Sequence, residues 1–106
     1  MPKFLIQLSY TPEGAKGLLK NGGSARRKAA ADTVAQFNGN LEAFYFAFGA
    51  DDAICIVDVP DYETMAAISL TVSATGMIRT RATALLTPEQ VDDAAKKHVD
   101  YRAPGQ

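Results

Sequence analysis

The stretch Leu41–Val59 reads LEAFYFAFGADDAICIVDV and decides the fold. Two apolar runs rich in aromatic and β-branched residues flank the short segment Gly49–Asp52, a pattern typical of a β-hairpin. Alternation gives the first strand, Leu41–Phe48, two apolar faces. We expect one face to carry Phe44, Phe46 and Phe48, and the other Leu41, Ala43, Tyr45 and Ala47. The returning strand, Ala53–Val59, is also apolar on both faces, so both sides of the sheet need a cover.

The elements around this hairpin are one strand and two helical pieces before it, and a helix, a strand and a last helix after it. Two Thr-Pro-Glu segments mark helix starts, and Asn-Gly-Gly and single glycines mark helix ends. Thr11, Ser24, Asp61 and Thr87 are the expected N-caps of the four helices, and Thr87 forms a capping box with Gln90. The expected limits are Phe4–Tyr10, Thr11–Asn21, Ser24–Phe37, Asp61–Gly76, Met77–Leu86 and Thr87–Val99.

The order of elements is strand, helix, strand, strand, helix, strand and an additional helix. Only the middle two strands are joined tightly enough for a hairpin, so right-handed crossovers give a ferredoxin-like βαββαβ fold. Its antiparallel sheet has the order 4-1-3-2, with the main helices on one face. At 106 residues, we expect a single domain spanning 1–106.

The helix after the hairpin indicates self-association. Residues 64–78, TMAAISLTVSATGMI, are fifteen positions without a charge. A helix packed on one side by a small domain shows charge on its other side, and a membrane span needs about 20 apolar residues. We therefore expect a second copy to cover apolar surface, as a homodimer or larger homo-oligomer with the two sheets face to face. In the alternative, the C-terminal helix lies across the open face of its own sheet.

Composition excludes several classes of protein. The formal net charge is −1, which gives no general attraction for nucleic acid. Cys55 is the only cysteine and lies within an apolar run, so we expect a buried, unreactive thiol and no disulfide. The N-terminus lacks the pattern of a signal peptide, which favours a cytoplasmic protein without a membrane partner. No motif calls for a metal or a cofactor.

Several segments of the sequence resemble one family: YTPEGAKGLLKNGGSARR from Tyr10, LEAFYFAFG from Leu41, IRTRATALLTPEQ from Ile78, and HVDYRAPG from His98. Together they resemble the GYD domain family, small bacterial and archaeal proteins of unassigned function. The resemblance implies a dimeric α+β barrel, in which two ferredoxin-like sheets face each other. The namesake Gly-x-Tyr-Asp turn is Gly49-Ala50-Asp51-Asp52 here, so Asp51 stands at the tyrosine position.

Strand four carries the best candidate for a ligand site. Arg79 and Arg81 are two residues apart, so they project to one side, which we assign to the open face of the sheet. Strand one is next to it and offers Gln7 and Ser9. Tyr45 is a further candidate to orient a ligand, although a tyrosine packed in the core is the favoured alternative. Guanidinium groups suit bidentate binding of a carboxylate or phosphate. In the alternative, the arginines only protect an edge strand from aggregation.

The start of the second helical piece is a second candidate, for an anion. It comprises Gly22, Gly23, Ser24, Arg26 and Arg27. Free backbone N–H groups at a helix start attract anions, and arginines in a first turn call for a negative partner. A carboxylate of this or a neighbouring subunit is the competing explanation.

The remaining polar residues favour structural roles. His98 lies near a helix end, where a solvated or capping role outweighs one as base or haem ligand. Asp51 and Asp52 are expected to shape a turn. We expect the protein to bind a small acidic molecule between sheet and subunits, with no catalytic residue assigned. One alternative is a scaffolding module without a ligand. Another, from relatives of the barrel group, is a cofactor-independent monooxygenase or isomerase, in which Phe44, Phe46 and Met65 would exclude water from the pocket of the arginines.

Overall fold

The computed structural model describes all 106 residues, Met1–Gln106. It contains four strands and four helices, in the predicted order. The strands are β1 (Lys3–Tyr10), β2 (Asn40–Phe46), β3 (Ala53–Asp58) and β4 (Ile78–Leu85). The helices are α1 (Pro12–Asn21), α2 (Gly23–Gln36), α3 (Tyr62–Ala74) and α4 (Pro88–Ala95).

The four strands form one antiparallel sheet in the order β2-β3-β1-β4. This is the predicted order taken from the other edge, and the ferredoxin-like pattern is confirmed. Helices α1, α2 and α3 pack against the sheet, α2 over β2 and α3 over β4. The opposite face of the sheet, the open face, carries no helix.

The start of α1 is held to the start of β4. Thr11 accepts from the Gly14 N–H as the predicted N-cap, and its hydroxyl also donates to the Gly76 carbonyl at 2.9 Å. A Cβ at Gly14 would overlap the carbonyl oxygen of Met77, so a glycine is what lets the two backbones come this close. The turn before β4 and the first helix therefore form one packed unit.

Helix caps follow the sequence at three of four positions, Thr11 being the first. The Asp61 carboxylate accepts from the Thr64 N–H at 2.8 Å, and Thr87 with Gln90 forms the complete capping box. A hydrogen bond from the Thr64 hydroxyl and the one from its N–H hold the pKa of Asp61 below its ordinary value. The prediction for Ser24 is wrong. The N-cap of helix α2 is Gly22, two residues earlier and at φ 84°, and no side chain caps the helix.

Strand β2 differs from its prediction at both ends. A β-bulge between Leu41 and Ala43 leaves Glu42 without an opposite residue, so Leu41 lies opposite Val57 on the helix side. Leu41 therefore shares a face with Phe44, and not with Ala43 and Tyr45 as regular alternation predicts. The strand also ends at Phe46, and Phe48 lies beyond it, fully exposed.

The core lies between the helices and the sheet. Its eleven buried members are Phe4, Ile6, Leu8, Val34, Ala53, Cys55, Val57, Val59, Met65, Ile68 and Ile78. The prediction of a buried thiol is confirmed, and burial raises the pKa of Cys55 to about 11. Twelve large apolar side chains remain exposed, and Leu70 of α3 is among them.

The C-terminal segment extends away from the rest of the chain. Helix α4 ends at Ala95 rather than near Val99, and none of its residues is buried. The radius of gyration is 16.9 Å, where a compact chain of this length has about 13 Å. The alternative in which this helix covers the open face of its own sheet is thus wrong.

No helix in the chain has both the length and the apolar character that crossing a membrane requires.

Candidate functional site

The strand register places the predicted residues of strands one and four on the open face. Arg81 lies opposite Gln7, and Arg79 lies opposite Ser9. Side chains on opposite residues of neighbouring strands project to the same side. The core residues Ile6 and Leu8 lie opposite Ala82 and Thr80 and so mark the helix side. Four of the five residues proposed for this site are therefore neighbours.

The apolar part of the open face lies beside this polar end. The register aligns Ala43, Ile56, Leu5 and Thr83 in one row across the four strands, and Ile54 lies in the next row. Apart from exposed Thr83, each is half-buried although no helix covers it. The open face thus combines an apolar centre with a polar end at Gln7, Ser9, Arg79 and Arg81.

Asp51 joins the polar end of the open face from the β2–β3 loop. One guanidinium nitrogen of Arg81, Nη2, donates to both carboxylate oxygens of Asp51, at 3.0 and 2.8 Å. Gln7 Nε2 donates to the same carboxylate at 3.0 Å. The Asp51 side chain is only 10% exposed, whereas that of Arg81 is 66% exposed. We call Asp51, Arg81 and Gln7 the Asp51 cluster.

Asp51 is the functional candidate that sequence reasoning missed. The prediction that this residue only shapes the turn does not hold, since its carboxylate binds groups on two strands. Asp52 does shape the loop, because its carboxylate accepts from the Tyr10 N–H at 2.8 Å. The sequence did contain a signal for this residue. In the Gly-x-Tyr-Asp turn, Asp51 stands at the tyrosine position, so a carboxylate lies beside two apolar strands.

Arg79 differs from the other cations of the open face. Lys3 is paired with Glu42 and, at 3.0 Å, with Asp58, and these contacts raise its pKa. Arg81 is paired with Asp51. Arg79 is exposed and forms no salt bridge, and its neighbour across the strand is Ser9. The open face therefore holds one cation without a counter-charge.

The GYD domain family model matches residues 4–95 of the chain. The chain belongs to the GYD family. No curated protein and no solved structure matches it. The matched range contains the Asp51 cluster, Arg79 and all of α4, so these features lie inside the GYD domain.

Tyr45 is separated from the arginines of the GYD domain. The register forms one row across the sheet, Tyr45 to Ile54 to Gln7 to Arg81. Three strand spacings separate the ends of this row, about 14 Å between backbones. Tyr45 is also 71% exposed, so it is not the core tyrosine that we favoured. Within one chain, a small ligand at Arg79 does not reach Tyr45.

The apolar residues expected to exclude water lie on the wrong side of the sheet. Phe44 and Met65 line an apolar cavity of about 60 Å³ between the sheet, α2 and α3. Phe46 lies opposite buried Ala53 and so belongs to the same side. A single pocket that combines these side chains with the arginines of strand four is therefore wrong, because the sheet separates them.

The second candidate site divides between two surfaces. Gly23, Ser24 and Arg27 share a shallow depression with Phe46 at the edge of the sheet. Arg26 instead lines the helix-side cavity, and its charge limits the rise in the pKa of Tyr10 that burial causes. The Tyr10 hydroxyl is buried without a hydrogen-bond partner. The two arginines therefore do not converge on one anion.

His98 lies outside any site. It is 88% exposed in the C-terminal segment, and its Nε2 is 3.3 Å from Asp100. No side chain of the sheet accompanies it, which agrees with the predicted solvated role.

Proposed function

We propose that this GYD domain self-associates through its open face and binds a small acidic molecule there, at Arg79. The observation that carries the proposal is the pairing of charges on this face. Lys3 and Arg81 each have a carboxylate partner, whereas Arg79 has none. A guanidinium held at the margin of an apolar surface is suited to a carboxylate or phosphate group.

The surface area of the chain supports self-association. One chain exposes 7511 Å², whereas a compact monomer of this mass exposes about 5,700 Å². A standard protein interface buries about 800 Å² on each partner. The apolar centre of the open face, with Ile54 and Ile56, is the part of the sheet that a second copy would cover.

The Asp51 cluster supports the choice of Arg79 rather than Arg81 as the anchor. The Asp51 carboxylate already neutralises Arg81 and takes a further donor from Gln7. An anion at Arg81 therefore meets a carboxylate beside it, which disfavours binding. Arg79 lies two residues along the same strand, with the Ser9 hydroxyl as a further donor on its neighbour. Covering the face with a second copy removes water and strengthens such a contact.

Thermal denaturation with acetate, succinate, benzoate and inorganic phosphate as probes tests the proposal. At least one probe should raise the melting temperature in a dose-dependent way, as linkage requires of a ligand that binds only the folded state. Arg79→Ala should abolish this rise. Lys20→Ala, which removes an equal charge from the exposed end of α1, should keep it. A panel without any stabilising probe, or equal stabilisation of Arg79→Ala, contradicts the acidic ligand.

A scaffolding module is the second candidate, favoured by the exposed side of helix α3, which carries no charge after Glu63. In this case, Arg79 has only a structural role. Light scattering on Arg79→Ala separates the two functions. A changed subunit number without any probe binding favours the scaffold, and an unchanged number with lost binding favours the ligand site.

A further inference from the structure

We propose that the C-terminal arm, residues 86–106, packs against a second copy of this chain, with Val91 as its principal apolar contact. This inference rests on the self-association proposed above but concerns a different surface. Residues 86–95 of the arm belong to the matched GYD domain. The family match, however, says nothing about what the arm contacts.

The arm has the local structure of a packed element but lacks a surface to pack on. Helix α4 has a complete capping box and a proline in its first turn, so its start is fixed by sequence. An isolated helix of fewer than about 12 residues is marginal in water, and tertiary packing supplies most helical stability in proteins. With eight residues and none of them buried, α4 needs a neighbour that its own chain does not provide.

The side chains of α4 are divided as on a helix with one packed face. Val91, Ala94 and Ala95 follow the spacing of three and four that lines one side. The acidic residues Asp92 and Asp93 fall outside this stripe. Val91 is 51% exposed, and the arm continues with Val99 and Tyr101, which are 75% and 78% exposed. This division predicts a buried side at Val91 and a solvated side at Asp93.

A second copy is the occupant that the dimensions favour. The arm leaves the edge strand β4 and extends the molecule to 57 Å along its longest axis, against 33 and 23 Å for the others. Leu86 and Gln90 of the arm share a shallow depression with Tyr62 of the body. The chain exposes roughly 1,800 Å² more than a compact monomer. This excess is larger than the area of about 800 Å² that one partner buries in a standard interface, so covering the open face alone does not account for it. A neighbouring copy offers every arm the same α3, which carries no charge after Glu63, and the same exposed apolar side chains.

Hydrogen exchange of the full chain at two protein concentrations tests the arm. At a concentration where light scattering shows an oligomer, the α4 amides should be protected about tenfold or more over unstructured rates. Dilution until the mass falls to one subunit should remove this protection. Val91→Glu should remove it at every concentration, while Asp93→Ala, on the opposite side of α4, should keep it. Protection of the β1 and β3 amides shows that each variant is folded.

Each other outcome overturns a defined part of the inference. Protection of α4 that is independent of concentration means that the arm packs on its own chain. A stable oligomer with unprotected α4 amides overturns the arm and leaves the open-face interface standing. A single subunit at all concentrations overturns both proposals.

Discussion

The carboxylate of Asp51 accepts two hydrogen bonds from a single nitrogen of Arg81, at 3.0 and 2.8 Å, across 30 residues of sequence. The pair ties the β2–β3 loop to edge strand β4, and Gln7 of the strand between them supports it. A mostly buried carboxylate with three hydrogen bonds is well satisfied, whereas the same group without its donors is costly. Loop and edge strand are therefore coupled through one side chain.

A double-mutant cycle measures this coupling. Arg81→Gln should lower the free energy of unfolding by about 1–3 kcal/mol, because it leaves the Asp51 carboxylate short of donors. Asp51→Asn should cost a similar amount, and the double variant should cost less than the sum of the two. Urea unfolding provides the values. Arg79→Gln is the matched control and should change stability by less than about 0.5 kcal/mol, since Arg79 forms no salt bridge. Strictly additive costs would show that the pair contributes no coupling.

Two glycines of α1 should respond in opposite ways to the same substitution. Gly14→Ala should destabilise the fold by about 1–3 kcal/mol, because its Cβ would overlap the Met77 carbonyl, a backbone atom that cannot rotate away. Gly17→Ala has open space around the new methyl group. It should stabilise the fold by about 0.4–1 kcal/mol through the lower entropy of the unfolded chain. Thermal or urea unfolding checks both, and a tolerated Gly14→Ala would show that α1 and β4 do not approach as described.

A charge in the apolar centre of the open face should dissociate the oligomer. Ile54→Lys places an ammonium group where a second copy is proposed to pack, and an unpaired buried charge is strongly disfavoured. Light scattering should show a lower mass, with circular dichroism unchanged. Leu19→Lys provides the control on α1, where the native side chain is already 86% exposed, and should keep the native mass. An oligomer that survives Ile54→Lys places the interface elsewhere.

Cys55 should make stability depend on alkaline pH. Burial raises the pKa of its thiol from 9.0 to about 11, so the folded state holds the proton more tightly than the unfolded state. This contribution is complete below pH 9 and declines as the pH rises through 9 to 11. At pH 10 the loss is about 1.4 kcal/mol. The difference in urea stability between pH 8 and pH 10 should therefore be larger for the native chain than for Cys55→Ala. Equal differences would indicate a solvated thiol.

Local signals account for the part of the fold that the sequence predicts. Thr11, Asp61 and Thr87 start helices through hydrogen bonds that span three residues, and such bonds follow from sequence spacing alone. The hairpin and the strand order follow from the apolar runs and their short connection. These features need no knowledge of distant contacts.

Contacts between distant residues account for what the sequence did not predict. Asp51 meets Gln7 across 44 residues, so its burial depends on the folded loop and not on its neighbours in sequence. The separation of Phe44 and Phe46 from the arginines depends on the side of the sheet that the helices occupy. The prediction placed Arg79, Arg81, Gln7 and Ser9 on one face but could not distinguish the paired arginine from the unpaired one.

The bulge at Glu42 makes the length of strand β2 as important as its composition. Removing this one residue would turn Leu41 toward the open face, and it would also take away the carboxylate that pairs with Lys3. An alignment with a chain that lacks the bulge must therefore allow a one-residue gap at Glu42. Without this gap, positions before the bulge that pack under α2 would be matched with positions that face away from α2.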